Sequence, residues 1–207
     1  MFYFVKTPSV IRQLYKHVTW KLTNDRSAVY LTFDDGPIPS ITEKTLNILK
    51  EHDVKATFFC VGENVERHPT IFNRILQEGH HVGNHSYNHL NGWKTDNETY
   101  YQNIEKCQIL TNTSLLRPPY GKIKREQINH LKNDYKLIMW EVLSGDFDPK
   151  TSVEKVVLNC VDSTENGSII VMHDNIKCGE KMLEALPKII HQLKEKGFVF
   201  EAVPYVF

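Results

Sequence analysis

Strand-like and helix-like stretches alternate along this chain, and that alternation limits its possible folds more than any other feature. Seven short runs read as strands: Ala28 to Phe33, Ala56 to Val61, His81 to Asn84, Leu115 to Arg117, Leu137 to Val142, Ser168 to Met172 and Phe198 to Val203. The run Ala-Thr-Phe-Phe-Cys-Val from Ala56 is apolar at nearly every position, as in strands buried on both faces of a parallel sheet. Helix signals fall between the runs. Ser40-Ile41-Thr42-Glu43 and Thr95-Asp96-Asn97-Glu98 read as capping boxes, Thr151-Ser152-Val153-Glu154 caps a further helix, and Pro69 opens one that Gly79 ends. Lys124 to Leu131 and Glu180 to Lys196 complete the helical set. Strict alternation with short links predicts parallel strands with helices outside, in a closed barrel or an open sheet.

At 207 residues, with 41% hydrophobic and 24% charged residues, the chain has the composition of one globular domain with a full core. Basic and acidic residues balance at 25 each, so no overall field recruits nucleic acid or an anionic membrane. Cys60, Cys107, Cys160 and Cys178 are far apart and form no C-x-x-C, which argues against a zinc knuckle and for reduced, packed thiols.

Apolar residues at Val10, Ile11, Leu14, Tyr15 and Val18 predict an amphipathic helix from Pro8 to Trp20, so residues 1–27 are expected to be a helix and lead-in packed on a domain spanning 28–207. Lys6 interrupts the apolar pentapeptide Met1-Phe2-Tyr3-Phe4-Val5, no secretory signal is read there, and a cytoplasmic location is expected, with export by a non-standard route as the alternative. No stretch has the roughly 20 apolar residues of a membrane span. The oligomeric state is left open.

The residues with chemistry cluster where expected strands end. Asp34 and Asp35 follow the first strand, His85 and His89 the third, Arg117 ends the fourth, Asp146 follows the fifth and His173 the sixth. Active sites of parallel α/β folds form at the C-terminal ends of strands. Adjacent carboxylates such as Asp34 and Asp35 repel, and two at a strand end call for a cation. His85 and His89 lie four apart, on one face of a helical turn, and two imidazoles with a carboxylate leave a coordination position open, as in catalytic zinc sites. In Arg117-Pro118-Pro119-Tyr120-Gly121 the prolines leave the Tyr120 and Gly121 amides free to hold an oxyanion, and Arg117 is suited to pair with a carboxylate. His80 and His81 precede this region and are expected to face solvent.

In that order, Thr32-Phe33-Asp34-Asp35-Gly36, His85-Ser86-Tyr87-Asn88-His89, Arg117-Pro118-Pro119-Tyr120-Gly121, the Trp140 to Phe147 segment and Val171-Met172-His173 closely resemble the polysaccharide deacetylases of carbohydrate esterase family 4, the NodB homology domain. The resemblance runs from about Val29 to Val203. It implies a distorted (β/α)7-type barrel and a divalent metal, zinc above all, with cobalt, nickel or manganese as alternatives. It also implies removal of acetyl groups from an N-acetylated carbohydrate. By motif, Asp34 resembles the general base, Asp35, His85 and His89 the metal ligands, and Arg117 the residue that positions the base. Tyr120 resembles the oxyanion donor, His173 the acid and Asp146 its partner. Three positions depart from the pattern: Leu143 where aspartate is usual, Phe147 for tryptophan and Val171 for leucine, which bears on the shape of the acyl pocket. Two other functions fit the same residues: an amidase acting on a non-sugar amide or cyclic imide, and a non-catalytic sugar- or metal-binding domain.

Overall fold

The structure is a computed structural model that describes residues 3–23 and 26–205; Met1 and Phe2 of the apolar pentapeptide lie outside them. In chain order the elements are α1 (Ser9–Leu14), β1 (Val18–Thr19), β2 (Ala28–Asp34), α2 (Ile41–Glu51), β3 (Thr57–Cys60), α3 (Gly62–Arg67), α4 (Pro69–Gln77) and β4 (His81–Asn84). They continue with α5 (Asn97–Thr111), β5 (Leu115–Leu116), a 3-10 turn (Pro119–Gly121), α6 (Arg125–Leu131), β6 (Lys136–Ile138), β7 (Val142–Leu143), α7 (Val153–Ser163), β8 (Ile169–His173), α8 (Gly179–Glu195) and β9 (Val199–Phe200).

The strands form one parallel sheet in the order β1-β6-β5-β4-β3-β2-β8-β7, with β9 pairing on the start of β2. The sheet curls into a half-barrel with the helices around it. The expected strand from Leu137 to Val142 is broken: its first part pairs with β5 and its second with β8, at opposite ends of the curl. Between them the Met139 and Glu141 amides donate to the carbonyls of Thr19 and Ile169.

Residues ahead of β2 cover this break, which corrects the expected helix from Pro8 to Trp20. The helix ends at Leu14 and buries no side chain, while Val18 and Thr19 pair with Leu137 and Ile138. On the other side of the break Lys6 bridges Val142 in antiparallel fashion and the Leu143 amide donates to the Val5 carbonyl. Buried Glu141 accepts from Arg12 and from Ser168, tying the arm down. A carboxylate without solvent is stable there because both its oxygens are bonded.

The period of two along β2 divides its side chains. Leu31 and Phe33 join the outer core with Leu46 and Leu49 of α2 and Met182, Leu186 and Ile190 of α8. Ala28 and Tyr30 face the other way, with Phe59, Leu115, Ile138 and Ile169. Asp34 has the parity of Tyr30 and Thr32, so the inner face of the curl ends in a carboxylate. His173 has the parity of Ile169 on β8 and is the register partner of Asp34.

Cap details differ from the sequence reading. Asp96, rather than Thr95, is the N-cap of α5, and Ser152, rather than Thr151, that of α7, each accepting from an amide three residues on. The Ser40 amide does donate to Glu43 at 2.8 Å, as a capping box requires. The four cysteines are free and buried. His80 is corrected from exposed to buried: its Nδ1 accepts from the Ala56 amide at 3.2 Å, and burial together with Lys55 pushes its pKa down to about 4. His81 is half-buried and stacks on Tyr205. Among the described residues no helix is long and apolar enough to cross a membrane.

Candidate active site

Asp35, His85 and His89 converge although they come from two loops. Asp35 Oδ1 lies 3.0 Å from His89 Nε2 and 3.6 Å from His85 Nε2, and the three ligand atoms all lie within 4.8 Å of one another. The atoms of a tetrahedral site with bonds of about 2.0–2.1 Å are separated by roughly 3.3 Å, so the spacing fits one small cation. Asp35 Oδ1 is buried and accepts no hydrogen bond, which leaves a charged acceptor waiting for a partner. Its other oxygen accepts from Asn175 Nδ2 at 2.6 Å. Burial works against the charge of Asp35, but the imidazoles of His89, His173 and His85 outweigh it and hold the carboxyl well below its usual range.

The tautomer of His85 follows from one contact. Its Nδ1 is 2.8 Å from the carbonyl oxygen of Arg117, which only accepts, so Nδ1 carries the proton and Nε2 turns its lone pair to Asp35. Burial, reinforced by His89 and Arg117, pushes the pKa of His85 down to about 4 against the pull of Asp34 and Asp35, so the ring is neutral at pH 7. The two histidines do not sit on a helical turn as their spacing predicts. Residues 85–92 form a loop in which Ser86 and His89 take φ of 60° and 62°, and the Asn84 side chain pins the Ser86 amide. Asp35 (φ 83°) and Tyr120 (φ 61°) are also in the left-handed region, so the loops that carry Asp35, His89 and Tyr120 each hold a backbone conformation costing of order 1–3 kcal/mol.

Arg117 is fully buried and organises the acid beside the cluster. Its Nη1 donates to Asp34 Oδ1 and Thr32 Oγ1, both at 2.7 Å, its Nε and Nη2 donate to the carbonyls of Ile138 and Met139, and its guanidinium lies 4.0 Å from the centre of the Phe59 ring. Four of its five N–H groups are bonded and all three nitrogens donate, which is how a buried cation is tolerated. The free oxygen of Asp34, Oδ2, lies 3.8 Å from His85 Nε2.

Across from this pair Asp146 grips His173 twice, accepting from the backbone amide at 2.7 Å and from Nδ1 at 2.8 Å. Nε2 is the ring nitrogen left over. Burial opposes the imidazolium, but Asp146, then Asp35 and Asp34, reverse it and raise the pKa of His173 to about 10. In the 3-10 turn the Gly121 and Lys122 amides donate to Pro118 and Pro119. Tyr120 N–H is therefore the donor left to the site, whereas both Tyr120 and Gly121 were expected to be available. Of the three departures, Phe147 touches the acid, its ring centre 5.6 Å from that of His173. Val171 is buried on the same face two residues before His173 and is paired with Leu143.

The family model described as polysaccharide deacetylase matches residues 21–136. The chain belongs to the polysaccharide deacetylase family. It is 37% identical over 191 residues to a peptidoglycan-N-acetylglucosamine deacetylase of Bacillus cereus, covering 88% of this chain and 69% of that protein. It is 30% identical over 203 residues to a chitooligosaccharide deacetylase of Azorhizobium caulinodans, covering 89% and 96%. A crystal structure of the Bc1960 peptidoglycan N-acetylglucosamine deacetylase superposes with a TM-score of 0.89 at 35% identity over 97% of both chains. Members of this family are hydrolases that remove acetyl groups from N-acetylated sugars, and Asp35, His85 and His89 are a group able to hold the metal on which that family's reaction depends.

In this polysaccharide deacetylase several site residues have no sequence signal of their own. Asn175 orients the outer oxygen of Asp35, and Asn64 Nδ2 donates to the Asp35 carbonyl at 2.7 Å. Asp174 is buried, accepts from the Gly36 amide at 3.0 Å and from Thr42 Oγ1 at 2.5 Å, and is pushed up by burial to about 8. A Cβ on Gly36 would come within 2.2 Å of Asp174 Oδ2, so the turn after the two aspartates needs glycine. Asp174 and Asn175 directly follow His173, and position beside a reactive residue is the only hint the chain offers.

Proposed function

We propose that this chain is a zinc-dependent N-deacetylase that hydrolyses the acetamide of an N-acetylglucosamine residue within a glycan, with Asp35, His85 and His89 as metal ligands. The observation that carries this reading is the placement of Asp34: one oxygen is fixed by Arg117, the other is turned to the ligand cluster, and His173 is its register neighbour. A divalent cation bound there supplies Lewis acidity to the acetyl carbonyl and to water.

Asp34 Oδ2 takes the proton of the attacking water, since Arg117 keeps its other oxygen occupied and its geometry fixed. The Tyr120 N–H holds the oxygen that gains charge as the carbonyl becomes tetrahedral. His173 Nε2 donates a proton to the departing nitrogen, and Asp146 keeps the ring charged until then. An amine leaves poorly as an anion, so base and acid must serve the same C–N bond, and adjacent parallel strands bring them together.

Acetate release by the zinc-loaded chain from N-acetylglucosamine oligomers, set against a panel of cyclic amides and imides, tests the reading. Acetate from the oligomers with inert cyclic amides supports it. Turnover of the cyclic amides alone moves the chain to the amidase function, and binding of oligomers without any turnover makes it a sugar-binding domain.

A further inference from the structure

The turn that carries Asp35 is held at three neighbouring points. The Asp35 carboxylate accepts through Oδ2 from Asn175 Nδ2 at 2.6 Å, its carbonyl accepts from Asn64 Nδ2 at 2.7 Å, and the Gly36 amide donates to Asp174 Oδ1 at 3.0 Å. The last two bonds fix the backbone, in which Asp35 keeps its left-handed φ of 83°. Asn175 acts on the carboxylate itself. It takes up one oxygen and leaves to a cation the other, Oδ1, which is buried and accepts no hydrogen bond.

Which end of the Asn175 amide faces Asp35 is settled by the turn after it. Its Oδ1 accepts from the Lys177 amide at 2.9 Å, from the Cys178 amide at 3.1 Å and from the Cys178 thiol at 3.1 Å. A backbone N–H only donates, so the oxygen must face the turn and the NH2 must face Asp35. The Asn175 carbonyl in turn accepts from the Gly179 amide at 2.8 Å, at the start of α8. The tip between these bonds is open to solvent, with Ile176 79% exposed and Lys177 exposed as well, so the turn is closed by the Asn175 side chain rather than by packing of its tip.

A carboxylate with one oxygen occupied in this way offers a cation a single oxygen. Together with two imidazole nitrogens it leaves a tetrahedral ion one open position, whereas a two-oxygen carboxylate would take that position or add a fifth bond. Groups that bond a ligand from behind also hold it in place before the metal arrives.

We propose that Asn175 is a positioning residue for the metal: by occupying Asp35 Oδ2 it keeps Asp35 a one-oxygen ligand, which strengthens zinc binding and leaves one coordination position free. This rests on the ligand set of the reading above.

The test measures zinc dissociation constants of the full chain by chelator competition, the visible absorption of the cobalt-substituted chain, and acetate release. Asn175→Ala removes both ends of the amide, while Asn175→Ser keeps a short acceptor for the turn and is too short to reach Asp35. Both should weaken zinc binding about 10- to 100-fold. Both should also lose intensity in the cobalt d–d bands, which weaken as the freed second oxygen raises the coordination number. Lys177→Ala, at the exposed tip of the same turn, should match wild type in both readouts. Wild-type zinc affinity or unchanged cobalt bands in Asn175→Ser would overturn the proposal, and so would equal weakening in Lys177→Ala, which would make the turn as a whole responsible. If the variants behave as predicted but the zinc-loaded wild-type chain releases no acetate, the positioning role stands and the deacetylase reading falls. A wild-type chain that takes up no zinc would overturn both.

Discussion

Arg117 Nη1 donates to Asp34 Oδ1 across 2.7 Å, with both side chains withdrawn from solvent. The bond joins the turn before the Pro-Pro pair to the end of the central strand, and it leaves Asp34 a single free oxygen. Asp34→Asn should keep the metal, because the ligands are other residues, and lose turnover by about 10² to 10⁴. Metal content by elemental analysis beside acetate release checks this; near-wild-type turnover with metal present would move the base elsewhere.

Removing the other partner should act on stability as well. Arg117→Met strips Asp34, Thr32 and two carbonyls of their donor, and breaking a buried pair in this way costs about 3–5 kcal/mol. Urea unfolding of the metal-free chain should show the loss, and a midpoint unchanged from wild type would mean that water replaces the guanidinium.

His173 gives the pH dependence. Its folded pKa of about 10 lies above the ordinary 6.5, so its ionic contribution to stability is complete below 6.5 and disappears as the pH rises through about 10. The same shift keeps the acid protonated at neutral pH and assigns it the basic limb of the rate profile. Asp146→Asn removes the main attraction, so the limb should move to lower pH and the stability slope between 6.5 and 10 should flatten. His173→Ala should lose amide hydrolysis, retain metal, and be less impaired on an ester with a good leaving group; equal losses on amide and ester would take His173 out of the acid role.

The N-terminal arm reaches this acid through a chain of rings. Tyr3 lies 5.1 Å from Phe147, which lies 5.6 Å from His173, and Tyr3 Oη is 3.1 Å from Thr151 Oγ1. Tyr3→Ala should lower kcat severalfold with little change in KM, and Tyr3→Phe should recover most of the rate if ring packing matters more than the hydroxyl. An unchanged kcat in Tyr3→Ala would reduce the arm to a cover for the sheet edge.

Much of the site could be read from the sequence because parallel strands deliver their terminal residues to one place: Asp34, Asp35, His85, Arg117, Asp146 and His173 each mark a strand end. The histidine pair converged for a reason that spacing does not show, since left-handed conformations at Ser86 and His89 replace the expected helical turn. Asn64, Asp174 and Asn175 were missed because a polar residue that orients another is locally indistinguishable from one in a loop. The break between β6 and β7 was invisible because Met139 and Trp140 are as apolar as a strand interior, and only pairing partners on opposite sides reveal it. His80 is expected in solvent because it precedes the loop that carries the site histidines, yet its ring packs edge-on against Phe58.

His85 provides a direct test of the ligand set. With its lone pair already aimed at Asp35, His85→Ala should abolish both metal content and acetate release, while His85→Gln, which keeps an acceptor in reach, should bind metal weakly. A fully loaded His85→Ala chain would show that the ligands lie elsewhere.

If deacetylation depends on a metal held by Asp35, His85 and His89, acetate release from an N-acetylglucosamine oligomer should stop on complete metal removal by a chelator and return with one equivalent of zinc per chain. Release that continues undiminished in the metal-free chain, or none at all from the fully loaded one, would refute that dependence.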